Sequence, residues 1–157
     1  MPIRLEQELY RAAILTFEEL SFMLPADTLN ERQRAAKPSA RASISFAGPF
    51  VGNLVVTAHG DLLPRISANM LGQDKPPALN EQLDALREIS NVVCGNLLPS
   101  LAGSDAIFDI SPPAVANPVG PALQVEKAAE VEIGLEEGRF HFALALVGYK
   151  SSEEHTE

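Results

Sequence analysis

Asn80-Glu-Gln-Leu83-Asp84-Ala-Leu86-Arg-Glu88-Ile89-Ser-Asn91-Val-Val93-Cys94-Gly95-Asn96-Leu97-Leu-Pro-Ser-Leu101 is the stretch from which the rest of the chain can be read. One residue advances an α-helix by about 100°. Counted from Asp84, the residues Leu79, Leu86, Val93 and Leu97 fall within about 40° of one another, near 180–220°. Leu83, Ile89 and Leu101 border this apolar stripe. Asp84, Glu88, Asn91 and Gly95 fall at about 0°, 40°, −20° and 20° on the same count. They form a narrow polar row opposite the stripe. The pattern predicts a helix over about 80–101, with Asn80 as its N-cap and Gly103-Ser104-Asp105 closing it.

An antiparallel hairpin follows that helix. Val131, Ile133 and Leu135 form the first strand, Glu136-Glu137-Gly138 is the turn, and the return strand runs from Phe140 to Val147. Phe140, Phe142, Leu144 and Leu146 line one face of the return strand, and Ala143, Ala145 and Val147 the other. Apolar residues on both faces predict a central strand covered on both sides. The same order occurs earlier. Leu5, Leu9, Ala13, Phe17, Leu20 and Leu24 recur every three or four residues, which predicts a helix over about 3–24, ended by Pro25. Residues 26–40 read as a mobile polar connection. Ala42, Ile44 and Phe46, a turn at Gly48-Pro49-Phe50-Val51-Gly52, and then Leu54, Val56 and Ala58 make the first hairpin. Between the halves lie a short helix over 62–71, with Asp61 as candidate N-cap and Gly72 as C-cap, and a Pro-rich linker over 73–79. A short strand is expected at 107–110 before Ser111-Pro112-Pro113.

The expected architecture is α+β: one layered domain over 1–150 with an antiparallel sheet and two long helices. Its half-repeats, about 3–59 and 80–148, are related by a pseudo-twofold arrangement. Residues 151–157 form an acidic tail, expected to be disordered.

Composition excludes several function classes. The chain has 157 residues, 12 basic against 21 acidic, for a net charge of −9. Phosphate recognition needs a basic footprint, so nucleic acid and anionic membrane surfaces are not expected partners. With 46% apolar residues the chain is too apolar to be disordered. No apolar run approaches the ~18 residues of a membrane helix. The start is acidic where a signal peptide would be basic. One cysteine and three histidines, none at ligand spacing, make no metal site. A cytoplasmic protein without a cofactor of its own is expected.

The polar row then carries the chemistry. Any amphipathic helix has a polar face, and that bland reading stands until more is shown. A carboxylate and a carboxamide at i and i+3 are nonetheless neighbours. An amide donates and accepts at once, so it can hold a water for attack while the carboxylate pairs with a cation on a partner. Gly95 is costly in mid-helix, by about 1 kcal/mol against alanine, and suits a close approach to the backbone.

Asp84-x3-Glu88-x2-Asn91, followed by Pro112-Pro113, resembles the motif of the CheC/CheX/FliY chemotaxis phosphatases. Ile44-Ser-Phe46-Ala-Gly48 and Met70-Leu-Gly72 are also similar to that family. The resemblance implies a CheC-like layered fold. It implies an enzyme that dephosphorylates the phospho-aspartate of a CheY-type response regulator. Asn91 would orient the attacking water, and Glu88 would pair with the regulator's lysine. Magnesium would be supplied by the regulator. Asp84, Arg87, Gly95 and Asn96 flank the pair as candidate partner-binding residues. The first helix has Glu18-x2-Ser21 at the matching place, with serine where asparagine is needed. One motif in this length resembles CheX, and so implies a homodimer joined through its sheets with one site per subunit. The second reading is a non-catalytic receiver-binding or dimerisation module of the same fold. His59 and His141 are expected to be sheet-packed, and Cys94 to be a small packing residue.

Overall fold

The computed structural model describes residues 4–23, 25–26, 28–117, 119–120 and 126–150. Ile3, Leu24 and the acidic tail 151–157 lie outside the described residues. In chain order the elements are α1 (Leu5–Ser21), α2 (Glu31–Ala35), β1 (Pro38–Ala47), β2 (Val51–His59), α3 (Leu63–Leu71), α4 (Leu79–Ala102), β3 (Asp109–Ile110), β4 (Ala114–Ala116), β5 (Ala129–Leu135) and β6 (Gly138–Val147).

The strands make one antiparallel sheet in the order β3-β1-β2-β6-β5, with β4 also pairing to β1. The two hairpins meet through their second strands, with Val55 opposite Ala143 at the middle of the β2–β6 pairing. Exchanging the halves leaves the order β1-β2-β6-β5 unchanged, as a pseudo-twofold relation requires. Period-two alternation sends one row of each strand to the same face. Ala42, Val56 and Phe142 lie side by side there, as do Ile44, Leu54 and Leu144, and all are buried. Helices α1 and α4 pack on this face and on each other. Phe17 of α1 sits 5.0 Å, centroid to centroid, from Phe140. The buried stripe of α4 is Leu86, Ile89, Val93, Cys94 and Leu97. These apolar faces are what remove the helices and sheet from water and orient α4.

Several boundaries differ from the sequence expectation. Helix α1 stops at Ser21, because Phe22 takes a left-handed conformation (φ 59°) three residues before Pro25. Asp61 does not cap α3; Leu62 holds that place without a side-chain cap bond, and Pro64 sits in the first turn. Asn80 does not cap α4 either. The extended Ala78 precedes Leu79, and the Gln82 side chain donates to the Pro77 carbonyl at 2.9 Å. Leu79 belongs to the stripe by angle but is 53% exposed. It is the first residue of the helix, well before its first buried one, Ala85.

Residues 26–40 are not a mobile connection throughout. Helix α2 opens on a reciprocal cap, Asn30 Oδ1 accepting from the Gln33 amide at 2.8 Å and Gln33 Oε1 from the Asn30 amide at 2.9 Å. Gln33 is buried and its amide donates to the Glu136 carbonyl, while Arg139 donates to the carbonyls of Gln33, Arg34 and Ala36. This segment is thereby fastened to the second hairpin. Strand β6 is interior to the sheet but covered by helices on one face only. On its other face Ala145 is half-buried and Val147 is 72% exposed. Ala143 is buried there, since a methyl on a sheet is shielded by bulkier cross-strand neighbours and needs no second layer.

Candidate functional site

Burying Leu86, Val93 and Leu97 turns the opposite side of α4 to solvent. Asp84, Glu88, Asn91 and Gly95 are all exposed there. Glu88 and Asn91 are three residues apart, about 4.5 Å along the axis and about 60° around it, so they stand as neighbours on the exposed face. Among the described residues, no hydrogen bond or ion pair engages either side chain. Asp84 is bound to Arg87 by an i, i+3 ion pair on the surface. Such exposed pairs add little stability, but this one holds the Arg87 guanidinium alongside the row.

Gly95 is exposed, and a methyl added to it would meet nothing within 4 Å in this chain. Packing within the chain therefore does not call for glycine here. Asn96 faces elsewhere. Its amide donates to Thr16 Oγ1 at 3.1 Å, and that hydroxyl donates in turn to the Ala12 carbonyl. The structure thus brings Asp84, Arg87, Glu88, Asn91 and Gly95 together and turns Asn96 to α1.

The matching place on α1 is different in kind. Ser21 is buried and its hydroxyl donates to the Phe17 carbonyl at 2.8 Å. Sequence reasoning found serine in place of asparagine; the fold adds that this side chain is withdrawn from solvent. Cys94 is buried, and burial pushes its thiol up to about 11. It is a packing residue and not a nucleophile at neutral pH. Ser111 ties the chain before Pro112 to β1, accepting from the Ser45 amide at 2.9 Å. His59 and His141 pack on the sheet, His59 toward the Ala36 carbonyl and His141 against Glu130. Among the described residues no group of three or more His, Cys, Asp or Glu side chains could hold a metal ion. None of the described helices is long and apolar enough to cross a membrane.

One feature beside the row was not visible in the sequence. A groove of about 350 Å³ opens where α1, α3 and α4 meet, with Leu20, Met70 and Leu71 on one side and Asp84 and Glu88 on the other. Its only local signal is an apolar residue, Leu71, immediately before the helix-ending Gly72.

The family model described as chemotaxis phosphatase CheX matches residues 41–135, which hold most of the first hairpin and all of α4. The chain belongs to the CheX family. Solved structures agree on the fold. CheX from Desulfovibrio desulfuricans superposes with a TM-score of 0.73 at 16% identity, covering 92% of this chain and 100% of that one. CheX from Vibrio vulnificus gives 0.71 at 19% identity, over 92% and 97%. The Borrelia burgdorferi protein, solved as a CheX-CheY-BeF3-Mg+2 complex, gives 0.68 at 15% identity, over 92% and 98%. No curated protein matches the sequence. The CheX-family match includes Asp84, Glu88 and Asn91 within its span and leaves α1, with its buried Ser21, outside it.

Proposed function

We propose that this CheX-family chain hydrolyses the phospho-aspartate of a CheY-type response regulator in the cytoplasm, using Glu88 and Asn91. The observation that carries the reading is the exposed, uncommitted carboxylate–carboxamide pair on α4. Phosphoryl transfer depends chiefly on positioning and charge stabilisation, so two side chains on a rigid helix suffice if the partner supplies the rest. The receiver brings the phosphoryl group and its magnesium. Glu88 pairs with the receiver's lysine and holds the two proteins in register. Asn91 holds a water in line with the phosphorus, its amide accepting and donating at once. Attack of that water breaks the bond between phosphorus and the aspartate oxygen. The products are inorganic phosphate and a free carboxylate.

In the same reading the protein is a homodimer joined through its sheets, one site per subunit. The sheet face away from α1 and α4 supports this, with the paired Val51 and Val147 left 51% and 72% exposed. Light scattering that returns a strict monomer at working concentration removes this part of the proposal.

The decisive experiment mixes the protein with a phosphorylated receiver and magnesium and follows phosphate release. Wild type is expected to accelerate decay over the receiver alone, and Asn91→Ala and Glu88→Ala to do so far less. Binding without acceleration leaves a non-catalytic receiver-binding module instead.

A further inference from the structure

The groove between α3 and α4 is continuous with the polar row, since Asp84 and Glu88 belong to both. Its other wall is apolar. Leu71 is 53% exposed at the end of α3, Met70 and Leu20 are partly buried beside it, and Ala85 forms part of the lining. Gly72, in the left-handed region at φ 68°, ends the helix with its amide bonded to α3 carbonyls, so the position of Leu71 is fixed by the cap. At about 350 Å³ the groove is at the small end of ligand pockets. It is the right size for one or two side chains and too shallow to enclose a cofactor.

We propose that this groove receives an apolar side chain of the phosphorylated receiver, and that Leu71 and Met70 set which receiver is dephosphorylated. The proposal rests on the phosphatase reading above, because the occupant is the protein whose phosphoryl group lies at Asn91.

Three observations commit the groove to that occupant. A stable interface covers roughly 800 Å² per partner. One centred on Glu88 and Asn91 extends over Asp84, about 6 Å from Glu88 along the helix axis, and therefore over the groove mouth. The chain carries a net charge of −9, so long-range attraction would not aid a partner of the same sign. Exposed ion pairs contribute little, so Glu88 alone does not supply the affinity. An apolar contact next to it does. The rim also fits such a partner: three carboxylates, Glu81, Asp84 and Glu88, beside an aliphatic wall match a basic side chain flanked by an apolar one.

The test is a titration against the receiver domains of the host organism, each loaded with beryllofluoride and Mg2+, run beside phosphate release from the phosphorylated forms. The variants are Leu71→Ser and, as control, Ile107→Ser at an 84% exposed site after α4. Both replace exposed residues, and thermal melts check that both fold. Leu71→Ser is expected to weaken receiver binding about fivefold or more, raising KM with little change in kcat; Ile107→Ser is expected to change neither. Wild-type binding that is indifferent to Leu71→Ser overturns the inference and leaves the phosphatase reading standing. Leu71-dependent binding without phosphate release overturns the phosphatase reading and leaves the docking groove. No binding to any receiver overturns both. If Leu71→Ser instead splits an oligomer in light scattering, the groove is a contact between copies of this chain and the inference fails.

Discussion

The Asn96 amide donates to the Thr16 hydroxyl across the α1–α4 contact, five residues beyond an Asn91 side chain that is exposed and unengaged. Two asparagines on one helix therefore have separable roles. Asn91→Ala is expected to leave the melting temperature unchanged and to cut receiver dephosphorylation by about 100-fold, the scale of a lost positioning contact. Asn96→Ala is expected to lower stability by about 1 kcal/mol and keep kcat. Thr16 still donates to the Ala12 carbonyl, so its hydroxyl is not left stranded. Urea denaturation and phosphate release on the two variants check both halves.

Gly95→Ala is expected to raise stability by up to about 1 kcal/mol, since alanine is the better helix former and a methyl there meets nothing within 4 Å. The same methyl would stand in the polar row, where the proposed receiver would approach. Receiver affinity is therefore expected to fall as the melting temperature rises. A variant that is both more stable and equally active shows that nothing approaches the backbone at this point.

The halves and their hairpins were legible because each signal is local. Period-two alternation of Ala42, Ile44 and Phe46 and the helical spacing around Leu86 need no knowledge of the rest of the chain. The exposed row was legible for the same reason: once the stripe is buried, the opposite angle is solvent. What was not legible depends on distant partners. Helix α2 lies in a stretch without apolar periodicity, marked only by Asn30 and Gln33, and it is held by Arg139 more than a hundred residues away. Asn96 reads as a neighbour of the row until α1 places Thr16 beside it. The groove exists only where three helices meet. The alanines of β6 suggested cover on two sides because sequence cannot tell a small residue shielded by its neighbours from one beneath a second layer.

Gly134→Ala is expected to destabilise the protein by about 1–3 kcal/mol through overpacking. A methyl at this position of β5 would lie 2.5 Å from Gln33 Oε1, the atom that closes the cap of α2. Gln33 is buried, so it has little room to withdraw. Shortening it in Gly134→Ala/Gln33→Ala is expected to cost less than the sum of the single changes, since the second substitution removes the obstacle to the first. Chemical denaturation of the four proteins in this cycle measures the coupling. Strict additivity would mean that α2 does not press on β5.

Acid sensitivity is expected to pass through His59 before any carboxylate. Burial holds His59 below its ordinary value of 6.5, with the Arg139 guanidinium adding to the effect and the Ala36 carbonyl opposing it. The folded state therefore binds a proton less readily than the unfolded one. Stability is complete above the unfolded value and is lost as pH falls through about 6.5 toward the folded value. Glu130 is also lowered, by hydrogen bonds from Lys127 and His141, but its loss begins only below its ordinary value of 4.5. The His59 window therefore opens at the higher pH. Between pH 7.5 and 5.5 the urea midpoint of wild type is expected to fall, and that of His59→Gln to fall less. Equal slopes would place the acid-sensitive group elsewhere on the sheet.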